Sequence, residues 1–420
     1  MTLRQMIAPL ARWLPAPLAR SLIALWAAWF AILFVFQGLV TQRLDLRRPD
    51  FAVVWAPPET VEGAQSNKPY LLDPFMNNQV SWDSEYYISI ALAGYNDPQA
   101  RLLPTNAPVR PPLNYAFFPL YPLLMSLFIF PLRLLSMSPI ATATLAGVIV
   151  SLLGTLAGMF ALWDLTHDSL GDDGAWRAVF YLLVFPTGFF LAMVYTEGLF
   201  IGIAFTAVAL SRRGQWVWAS ALAALAPWTR AHGVILVLPL AVALLQSCDW
   251  KRGWWEQITP RLLIQGALVF APLVSYLIWR TGPLGQGWAL VQTSFFSRGL
   301  FEWDRSMLAW SQALRYAGSN PQASIYYNIE LLSLALAAVA AIFILPQYPG
   351  IALFSLGVVV LSALSGVPQS MSRYVLIAPA TYIFLSKLGR SRAFDRAWTT
   401  ASVLLMGMSA MLFAFDMWVG

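Results

Sequence analysis

The residues of this chain that could do chemistry are few, and most of them interrupt long apolar runs. The first group is Trp82-Asp83-Ser84-Glu85, followed by a mostly apolar stretch that ends at Gly94 and predicts a short amphipathic helix. Asp83 is a favoured N-cap residue and Glu85 suits a first helical turn, so the helix end alone can explain both. The pair lies in a long loop that precedes a proline-rich apolar element, and this location makes Asp83 a candidate general base as well.

A second candidate is Glu197, which stands between two otherwise apolar runs in the segment Tyr195-Thr196-Glu197-Gly198. A carboxylate inside a bilayer is costly and usually serves a function, whereas a carboxylate at an external turn is simply solvated. Both interpretations stay open for Glu197 from the residues alone.

Two arginines are the next candidates. Arg230 and His232 interrupt an apolar stretch from 216 to 247, and an arginine in such a place needs an anion or a water-filled cavity. His232 is more often a hydrogen-bonding neighbour than a base, so Arg230 ranks above it. Arg373, followed by Tyr374, lies at the end of another apolar run, where a tie to lipid headgroups explains it equally well.

The elements that must position these residues are membrane helices. Of the 420 residues, 59% are hydrophobic and 11% are charged, whereas a soluble domain carries about 25% charged residues. This composition excludes a water-soluble globule and predicts an all-α polytopic membrane protein.

The net charge of +6 comes without basic runs interleaved with aromatics, so no nucleic-acid partner is expected. Cys248 and two histidines are too few for a disulfide or for a zinc or iron cluster.

About eleven transmembrane helices are predicted within a single membrane domain, residues 1–420. Arg4, Arg12 and Arg20 precede an apolar run, 21–40, that is longer than the core of a cleavable signal peptide and predicts a retained first span with a cytoplasmic N-terminus. Further apolar runs predict the other spans, at 140–163, 178–195, 198–211, 216–229, 233–247, 262–280, 326–345, 350–365, 374–386 and 398–417.

Two long loops are predicted outside the cytoplasm. The first, 41–139, begins as a polar segment with the Asp83 motif and continues as the apolar run 117–135, whose prolines oppose a straight span and favour helices in the membrane interface. The second, 281–325, contains apolar residues at helical spacing, which predict an amphipathic helix on the outer membrane surface: Trp303, Met307, Trp310 and Leu314.

Short basic loops predict the orientation of the chain. Lysine and arginine are concentrated in three short loops, at Arg212-Arg213, at Lys251-Arg252 and between Lys387 and Arg396. Because an excess of positive charge in short loops faces the cytoplasm, the candidate catalytic residues are expected on the opposite, extracytoplasmic side.

Four segments, by their order and spacing, resemble the PIG-V family of membrane mannosyltransferases, within the GT-C class of glycosyltransferases that use lipid-phosphate sugars. The C-terminal half resembles the family mainly by hydropathy and by Arg373-Tyr374. Ser84 and Ala231-His232 stand where the family often has Gly after the Asp and Ser-Asn after the Arg. The matching segments are Trp82-Asp83 with Ile90-Ala91 and Gly94-Tyr95, Phe117-Phe118-Pro119-Leu120-Tyr121-Pro122-Leu123, Phe185-Pro186 with Tyr195-Thr196-Glu197, and Thr229-Arg230 with Gly233.

The resemblance implies an inverting transfer of mannose from a polyprenyl-phosphate donor to a hydroxyl group of a glycolipid, a glycan or a protein, in a bacterial inner membrane or the endoplasmic reticulum. Asp83 would be the catalytic base on the extracytoplasmic face, with Glu197 as a second catalytic carboxylate. Arg230 and Arg373 would hold the donor phosphate. The other site residues are expected to bind substrate or support these groups: Trp82, Glu85, Tyr195, His232 and Tyr374.

No cofactor is expected, since a monophosphate donor flanked by arginines has less need of a divalent metal than a nucleotide diphosphate. Asp83, Glu85 and Glu197 could nevertheless hold one divalent cation through oxygen ligands.

A transporter or flippase for a lipid-linked or sugar substrate is the alternative function, because intramembrane charges and proline-broken helices suit it equally. Weak internal symmetry between the halves would favour a transporter, and none is visible. A membrane scaffold is a third option, against which the grouping of the polar candidates on one face argues.

Overall fold

The computed structural model of the protein describes residues 16–46, 50–54, 59–61, 63–104, 110–248 and 259–420. The described part is helical, with one isolated β-bridge between Leu102 and Pro112, and the predicted all-α class is confirmed. Four of the basic residues used above to orient the chain lie outside the described residues: Arg4, Arg12, Lys251 and Arg252.

The described residues form sixteen α-helices, joined by turns and by short 3-10 helices. In chain order the α-helices are α1 (Ala16–Arg43), α2 (Ser84–Ala93), α3 (Leu120–Leu132), α4 (Pro139–Leu183), α5 (Glu197–Arg212), α6 (Trp216–Leu225), α7 (Val237–Gln246), α8 (Pro260–Val269), α9 (Ala271–Thr281), α10 (Pro283–Ser294), α11 (Trp303–Ala317), α12 (Pro321–Ile344), α13 (Pro349–Ala363), α14 (Met371–Val375), α15 (Pro379–Leu388) and α16 (Arg392–Ala414). The 3-10 helices are Pro69–Leu71, Asn77–Gln79, Leu113–Ala116, Arg133–Leu135, Gly188–Ala192, Ala226–Trp228 and Ala231–Leu236.

Four helices among the described residues are long and apolar enough to span a membrane, namely α1, α4, α12 and α16. The number rises to five when α8 and α9, which meet at an angle of 44°, are taken as one bent span. The predicted count of about eleven spans is not confirmed. Several of the other apolar runs form helices of only 10–17 residues, because turns and 3-10 helices end them early. One such break is the 3-10 helix Ala226–Trp228, which ends the run that begins at α6.

Proline and a capping side chain together set where several of the helices begin. Ser138 precedes Pro139 at the start of α4, and its Oγ accepts a hydrogen bond from the Ala141 N–H at 3.0 Å. Asn320 caps α12 in the same way ahead of Pro321. Proline suits the first helical position because its missing N–H would have no partner there.

Glycines bring α4 and α5 into close contact and thereby place the segment that carries Glu197. A Cβ atom at Gly198 would lie 2.3 Å from the Ser151 carbonyl oxygen, and one at Gly154 would lie 2.5 Å from the Gly198 carbonyl oxygen. Only glycine allows the two backbones to approach this closely, as in membrane helix pairs with small residues four apart. The start of α5 is therefore fixed against α4.

The loop ahead of Asp83 is fastened to the helices by buried amides. Gln37 of α1 has no exposed surface, and its Nε2 donates to the Asn78 carbonyl oxygen at 3.1 Å. Gln79 in turn donates to the Gln37 side chain at 3.0 Å, and its own carbonyl oxygen accepts from the Val194 N–H at 3.1 Å. The first loop is thus held over the bundle on the side where α5 begins.

Two points along α4 contact different parts of the chain, and both lie before Gly171, whose φ of 70° breaks the helix. Ser151 donates to the Met193 carbonyl oxygen at 2.7 Å, just before the Glu197 segment. Further along, the Leu165 carbonyl oxygen accepts from Arg212 at 3.0 Å. These two points of α4 are about 20 Å apart at 1.5 Å per residue. Arg212, at the end of α5, therefore lies far from the helix start that carries Glu197.

Both predicted loop helices form. The run 117–135 contains α3 and the 3-10 helix Arg133–Leu135. The loop 281–325 contains α11, in which the small residues Ser306 and Ala313 are buried against the protein while Trp303 and Met307 stay exposed. An exposed apolar face of this kind is expected of a helix that lies on a membrane surface.

Candidate active site

Six of the predicted site residues line one cavity of about 140 Å³, namely Asp83, Glu197, Arg230, His232, Arg373 and Tyr374. The cavity lies among the starts of α2, α5 and α14, the turn 226–233, the end of α13, and α10 with the loop that follows it. Residues that interrupt separate apolar runs are thus brought together. The polar residues of the lining are Asp83, Thr196, Glu197, Thr229, Arg230, His232, Gln292, Arg298, Ser362, Ser365, Arg373 and Tyr374.

Asp83 stands at the N-cap position of α2, yet its side chain makes no capping hydrogen bond. Oδ2 of Asp83 instead accepts a hydrogen bond from Nη1 of Arg373 at 2.9 Å. The side chain is 25% exposed and lines the cavity. The side chain of Asp83 therefore does not cap α2, and its carboxylate faces Arg373 and the cavity.

The backbone around Asp83 is unusual and tightly held. Trp82 has a φ of 49°, which is uncommon for a residue other than glycine. The Tyr195 hydroxyl accepts from the Asp83 N–H at 3.2 Å and donates to the Ser81 carbonyl oxygen at 3.1 Å. The Trp82 indole donates to the Met417 carbonyl oxygen at 3.3 Å. Backbone strain that is held in place by its surroundings is typical of functional sites.

Arg373 lies between the two carboxylates of the cavity. It donates to Asp83, and its Nε lies 3.4 Å from Oε1 of Glu197. Its guanidinium group is also packed over the rings of Phe190 and Tyr195, at 5.5 and 5.2 Å from their centres. A cation held by charges on two sides and by aromatic faces has little freedom to move.

The short helix α14 that carries Arg373 is itself anchored by buried groups. The Ser372 N–H donates to Oε2 of Glu330 at 2.6 Å, and the Ser372 carbonyl oxygen accepts from Thr187 at 3.0 Å. Glu330 belongs to α12 and has no exposed surface. Nothing in the sequence distinguishes Glu330 from the apolar residues around it except its charge, and it was not among the predicted site residues.

Glu197 differs from Asp83 although both were predicted as catalytic carboxylates. The side chain of Glu197 has no exposed surface, and its Oε1 accepts a short hydrogen bond from Arg230 while facing Arg373. Arg230 also donates to the Thr196 hydroxyl at 3.3 Å. Glu197 is therefore paired with Arg230 and close to Arg373, and Asp83 is the more exposed of the two carboxylates.

Arg298 is a site residue that the sequence analysis missed. It follows α10 in the second long loop, where an arginine among other polar residues gives no signal in the hydropathy pattern. Its guanidinium group donates to the Ser365 hydroxyl at 3.3 Å and to the Gln369 carbonyl oxygen at 3.1 Å. Within the described ranges it forms no ion pair with a carboxylate.

Three arginines surround the ring of Tyr374. The Cζ atoms of Arg230, Arg298 and Arg373 lie 5.1, 5.3 and 5.5 Å from the ring centre. With Asp83 and Glu197 as the two carboxylates of the lining, these five side chains carry one excess positive charge. We call these five charged side chains the cavity cluster. Such a cluster favours an anion, and arginine is well suited to phosphate oxygens because it donates from two nitrogens at once.

Of three other predicted residues, only His232 lines the cavity. Its Nε2 lies 3.0 Å from the Ser362 hydroxyl oxygen. Trp82 packs edge-on against Trp418, with ring centres 4.9 Å apart, and does not line the cavity. Glu85 does not line it either, because its carboxylate binds Arg101 on another side of α2.

The three carboxylates that were considered for a divalent cation do not converge. Asp83 binds Arg373, Glu197 binds Arg230, and Glu85 binds Arg101. In the part of the chain that the structure describes, no group of three histidine, cysteine or acidic side chains is close enough to hold a metal ion.

The sequence of this chain matches a known family. The model of the family described as Mannosyltransferase (PIG-V) matches residues 25–249. Two curated relatives are the enzymes named GPI alpha-1,6-mannosyltransferase 2 of Mus musculus, 29% identical over 212 residues, and of Cricetulus griseus, 28% identical over 214 residues. The matches cover 49% and 50% of this chain, and 40% of each relative.

Two solved structures are similar to this chain over most of its length. ArnT from Cupriavidus metallidurans, bound to undecaprenyl phosphate, is 14% identical with a TM-score of 0.45, and the match covers 93% of this chain and 76% of that one. The oligosaccharyltransferase of Archaeoglobus fulgidus is 13% identical with a TM-score of 0.45, and the match covers 93% of this chain and 53% of that one.

Proposed function

The chain belongs to the PIG-V family of mannosyltransferases, and on that premise we propose that it transfers mannose from a polyprenyl-phosphate donor to a hydroxyl group of a lipid-linked or other acceptor. The observation that carries the choice of donor is the cavity cluster, in which three arginines outnumber two carboxylates. A monophosphate that links a lipid to a sugar presents the anion that this excess charge favours.

The reaction needs two things from the protein. As the acceptor oxygen bonds to the anomeric carbon, its proton must be removed, and Asp83 is placed to accept it. The bond between the anomeric carbon and the phosphate oxygen breaks at the same time, and its electron pair stays on the phosphate. The leaving phosphate gains negative charge, which the arginines of the cavity cluster stabilise. Direct displacement of this kind inverts the anomeric carbon.

Glu197 serves this reaction as a positioning residue. A fully buried carboxylate that bonds one arginine and faces another keeps both guanidinium groups in place before the donor arrives. Fixed charges of this kind stabilise the transition state without reorganising. His232 and Tyr374 complete the wall of the phosphate site.

We place this site on the extracytoplasmic side of a multi-pass membrane protein. The segment before Glu197 and the basic residue Arg212 contact points of α4 that are about 20 Å apart. Since short basic loops face the cytoplasm, the cavity belongs to the other side.

Cysteine labelling tests this orientation. In a Cys248→Ser background, a cysteine is placed at the exposed position Gln99 or at the exposed position Arg390. A membrane-impermeant reagent applied to intact cells is expected to modify the cysteine at 99 and not the one at 390. The reverse pattern would place the cavity on the cytoplasmic side.

The activity itself is tested with purified protein in detergent. Radiolabelled mannose is offered either on a short-chain polyprenyl phosphate or on a nucleotide diphosphate, together with a lipid-extract acceptor. We expect transfer from the lipid-linked donor only, with a product anomer opposite to that of the donor. Transfer from the nucleotide sugar alone, or movement of the intact lipid-linked sugar across vesicles without transfer, would contradict the proposal.

A further inference from the structure

The helix α10 presents two polar side chains to the cavity that the proposed reaction has not used. Trp288 and Gln292 are four residues apart and therefore share one face of the helix. This face lines the same cavity as Asp83 and Arg298. Both residues belong to the second long loop, and neither stood out in the sequence.

Each of the two side chains has a buried polar atom without a hydrogen-bond partner in the described part of the chain. These atoms are Nε1 of Trp288 and Oε1 of Gln292. The orientation of the Gln292 amide follows from its other contact, since Nε2 lies 2.9 Å from the Ala116 carbonyl oxygen, which can only accept. Two residues of the cavity lining thus each keep one polar atom without a hydrogen-bond partner, an N–H donor on Trp288 and an oxygen acceptor on Gln292.

A buried polar atom without a partner costs free energy, so such atoms at a cavity wall indicate a ligand that completes them. A hydroxyl group both donates and accepts, and a hexose carries several of them, so one sugar ring can supply a partner to a donor and to an acceptor that lie one helical turn apart. The Trp288 ring is also fixed in place, since it packs 5.5 Å from the Trp279 ring and 5.6 Å from the Phe118 ring.

We propose that Trp288 and Gln292 form a hexose-binding subsite, in which Nε1 of Trp288 donates to one ring hydroxyl of the donor sugar and Oε1 of Gln292 accepts from another. This inference rests on the proposed function, because it takes the sugar to be the one linked to the phosphate at the arginines. A site built to bind a hydroxyl group discriminates strongly against a ligand that lacks it. The subsite would therefore help to select the sugar.

The test measures equilibrium binding of two lipids without an acceptor, so that no turnover is needed. The probes are a short-chain polyprenyl-phosphate mannose and the same polyprenyl phosphate without sugar. Trp288→Phe keeps an aromatic ring and removes only the N–H, and Gln292→Met removes the free oxygen. We expect each variant to weaken binding of the mannosylated lipid about ten-fold and to leave binding of the sugar-free lipid unchanged.

The helix and its aromatic neighbours offer matched controls. Trp279 also has a buried indole N–H without a partner among the described residues, but it does not line the cavity. Gln286 is an exposed glutamine of α10. Trp279→Phe and Gln286→Met should bind both lipids as the wild type does.

Three results would count against the subsite. Equal affinity of Trp288→Phe, Gln292→Met and wild type for the mannosylated lipid would overturn the subsite alone. An equal loss of affinity for both lipids would also overturn it, since the two side chains would then support the phosphate site or the fold. Wild-type protein that binds neither lipid would instead contradict the proposed donor, and the subsite with it.

Discussion

Two groups of charged side chains lie on either side of α2, and only one of them lines the cavity. We call the other group, Glu59, Lys68, Glu85 and Arg101, the outer-loop network. In it Arg101 binds Glu85 through two nitrogens, at 3.0 and 3.2 Å, and Glu59 at 2.8 Å, while Lys68 also binds Glu59 at 2.8 Å. Its charges are balanced, and each member has a partner of opposite charge.

The electrostatics of the outer-loop network suit a structural role. Burial opposes ionisation of Glu59, but the charges of Lys68 and Arg101 outweigh it and lower the pKa of that carboxyl group. Burial raises the pKa of Glu85, although the positive charges of Arg101 and Lys68 act to lower it. The Lys68 side chain is 1% exposed. Such a network holds the loop together and has no charge left for a ligand.

The cavity cluster also combines acidic and basic side chains, but its charges do not cancel. It has one positive charge in excess, its Arg298 has no carboxylate partner among the described residues, and its Asp83 carboxylate is partly exposed. Asp83 and Glu85 are two positions apart, so they face different sides of α2. Residue type and sequence position therefore do not distinguish the proposed catalytic carboxylate from a structural one, whereas charge balance and access to a cavity do.

Exchanging one carboxylate in each group should separate the two roles most strongly. Asp83→Asn keeps the size of the side chain but cannot accept the proton, so mannose transfer is expected to fall about 10²–10⁴-fold. The melting temperature should fall less than in Glu85→Gln, because Asp83 is partly exposed and accepts one hydrogen bond from Arg373, which an amide oxygen can still accept. Transfer by the purified variant and its thermal unfolding are the two measurements. Near-normal turnover would remove Asp83 from the base role.

Glu85→Gln is the matched exchange in the outer-loop network. It leaves Arg101 with Glu59 as its remaining carboxylate partner, and a weakened buried pair costs about 1–3 kcal/mol of stability. We therefore expect a lower melting temperature and near-normal transfer per folded molecule. A loss of transfer comparable to that of Asp83→Asn, at unchanged stability, would erase the distinction between the two groups.

Arg230→Lys and Arg373→Lys should have the next largest effect. Lysine keeps the charge but replaces a planar group with several donors by a single ammonium, so the apparent affinity for the polyprenyl-phosphate donor is expected to fall about ten-fold or more. Donor titrations of each variant give this value. Unchanged affinity in both variants would mean that neither arginine contacts the phosphate.

The smallest effect is expected from Arg298→Gln, since two other arginines remain around the cavity. Inhibition by added polyprenyl phosphate, the product, should weaken about three- to ten-fold, because charge-assisted hydrogen bonds to the phosphate are lost. Arg305→Gln is the control, as Arg305 is exposed in the same loop and its ion pair is with Glu302. Equal inhibition constants for Arg298→Gln and Arg305→Gln would remove Arg298 from the cavity cluster's proposed role.

The sequence predicted several of the charged residues that break apolar runs, because a charge in such a run has few explanations, although Glu330 in the run 326–345 was missed. Glu197, Arg230 and Arg373 were found in this way, and the structure brings them together with Asp83. Arg298, Trp288 and Gln292 escaped notice because they lie in a polar loop, where hydropathy gives no contrast. Their place beside the cavity depends on tertiary packing that no local pattern reports.

The predicted spans show the same limit. The long helices α1, α4, α12 and α16 agree with predicted apolar runs. A continuous run of about 20 apolar residues is long enough to cross a bilayer as one helix. The other predicted spans correspond to shorter helices, which turns or 3-10 helices divide, and they stay predictions. The direction in which Asp83 points was also open, since its N-cap position is compatible with both a capping and a catalytic side chain.

A structure with polyprenyl phosphate bound would show whether the cavity cluster holds the phosphate of the lipid, as we propose. We expect the phosphate oxygens within about 3 Å of guanidinium nitrogens from at least two of Arg230, Arg298 and Arg373, with α10 beside the site. A phosphate bound instead beside Arg212, which contacts α4 about 20 Å from the point where the segment before Glu197 does, would contradict this proposal.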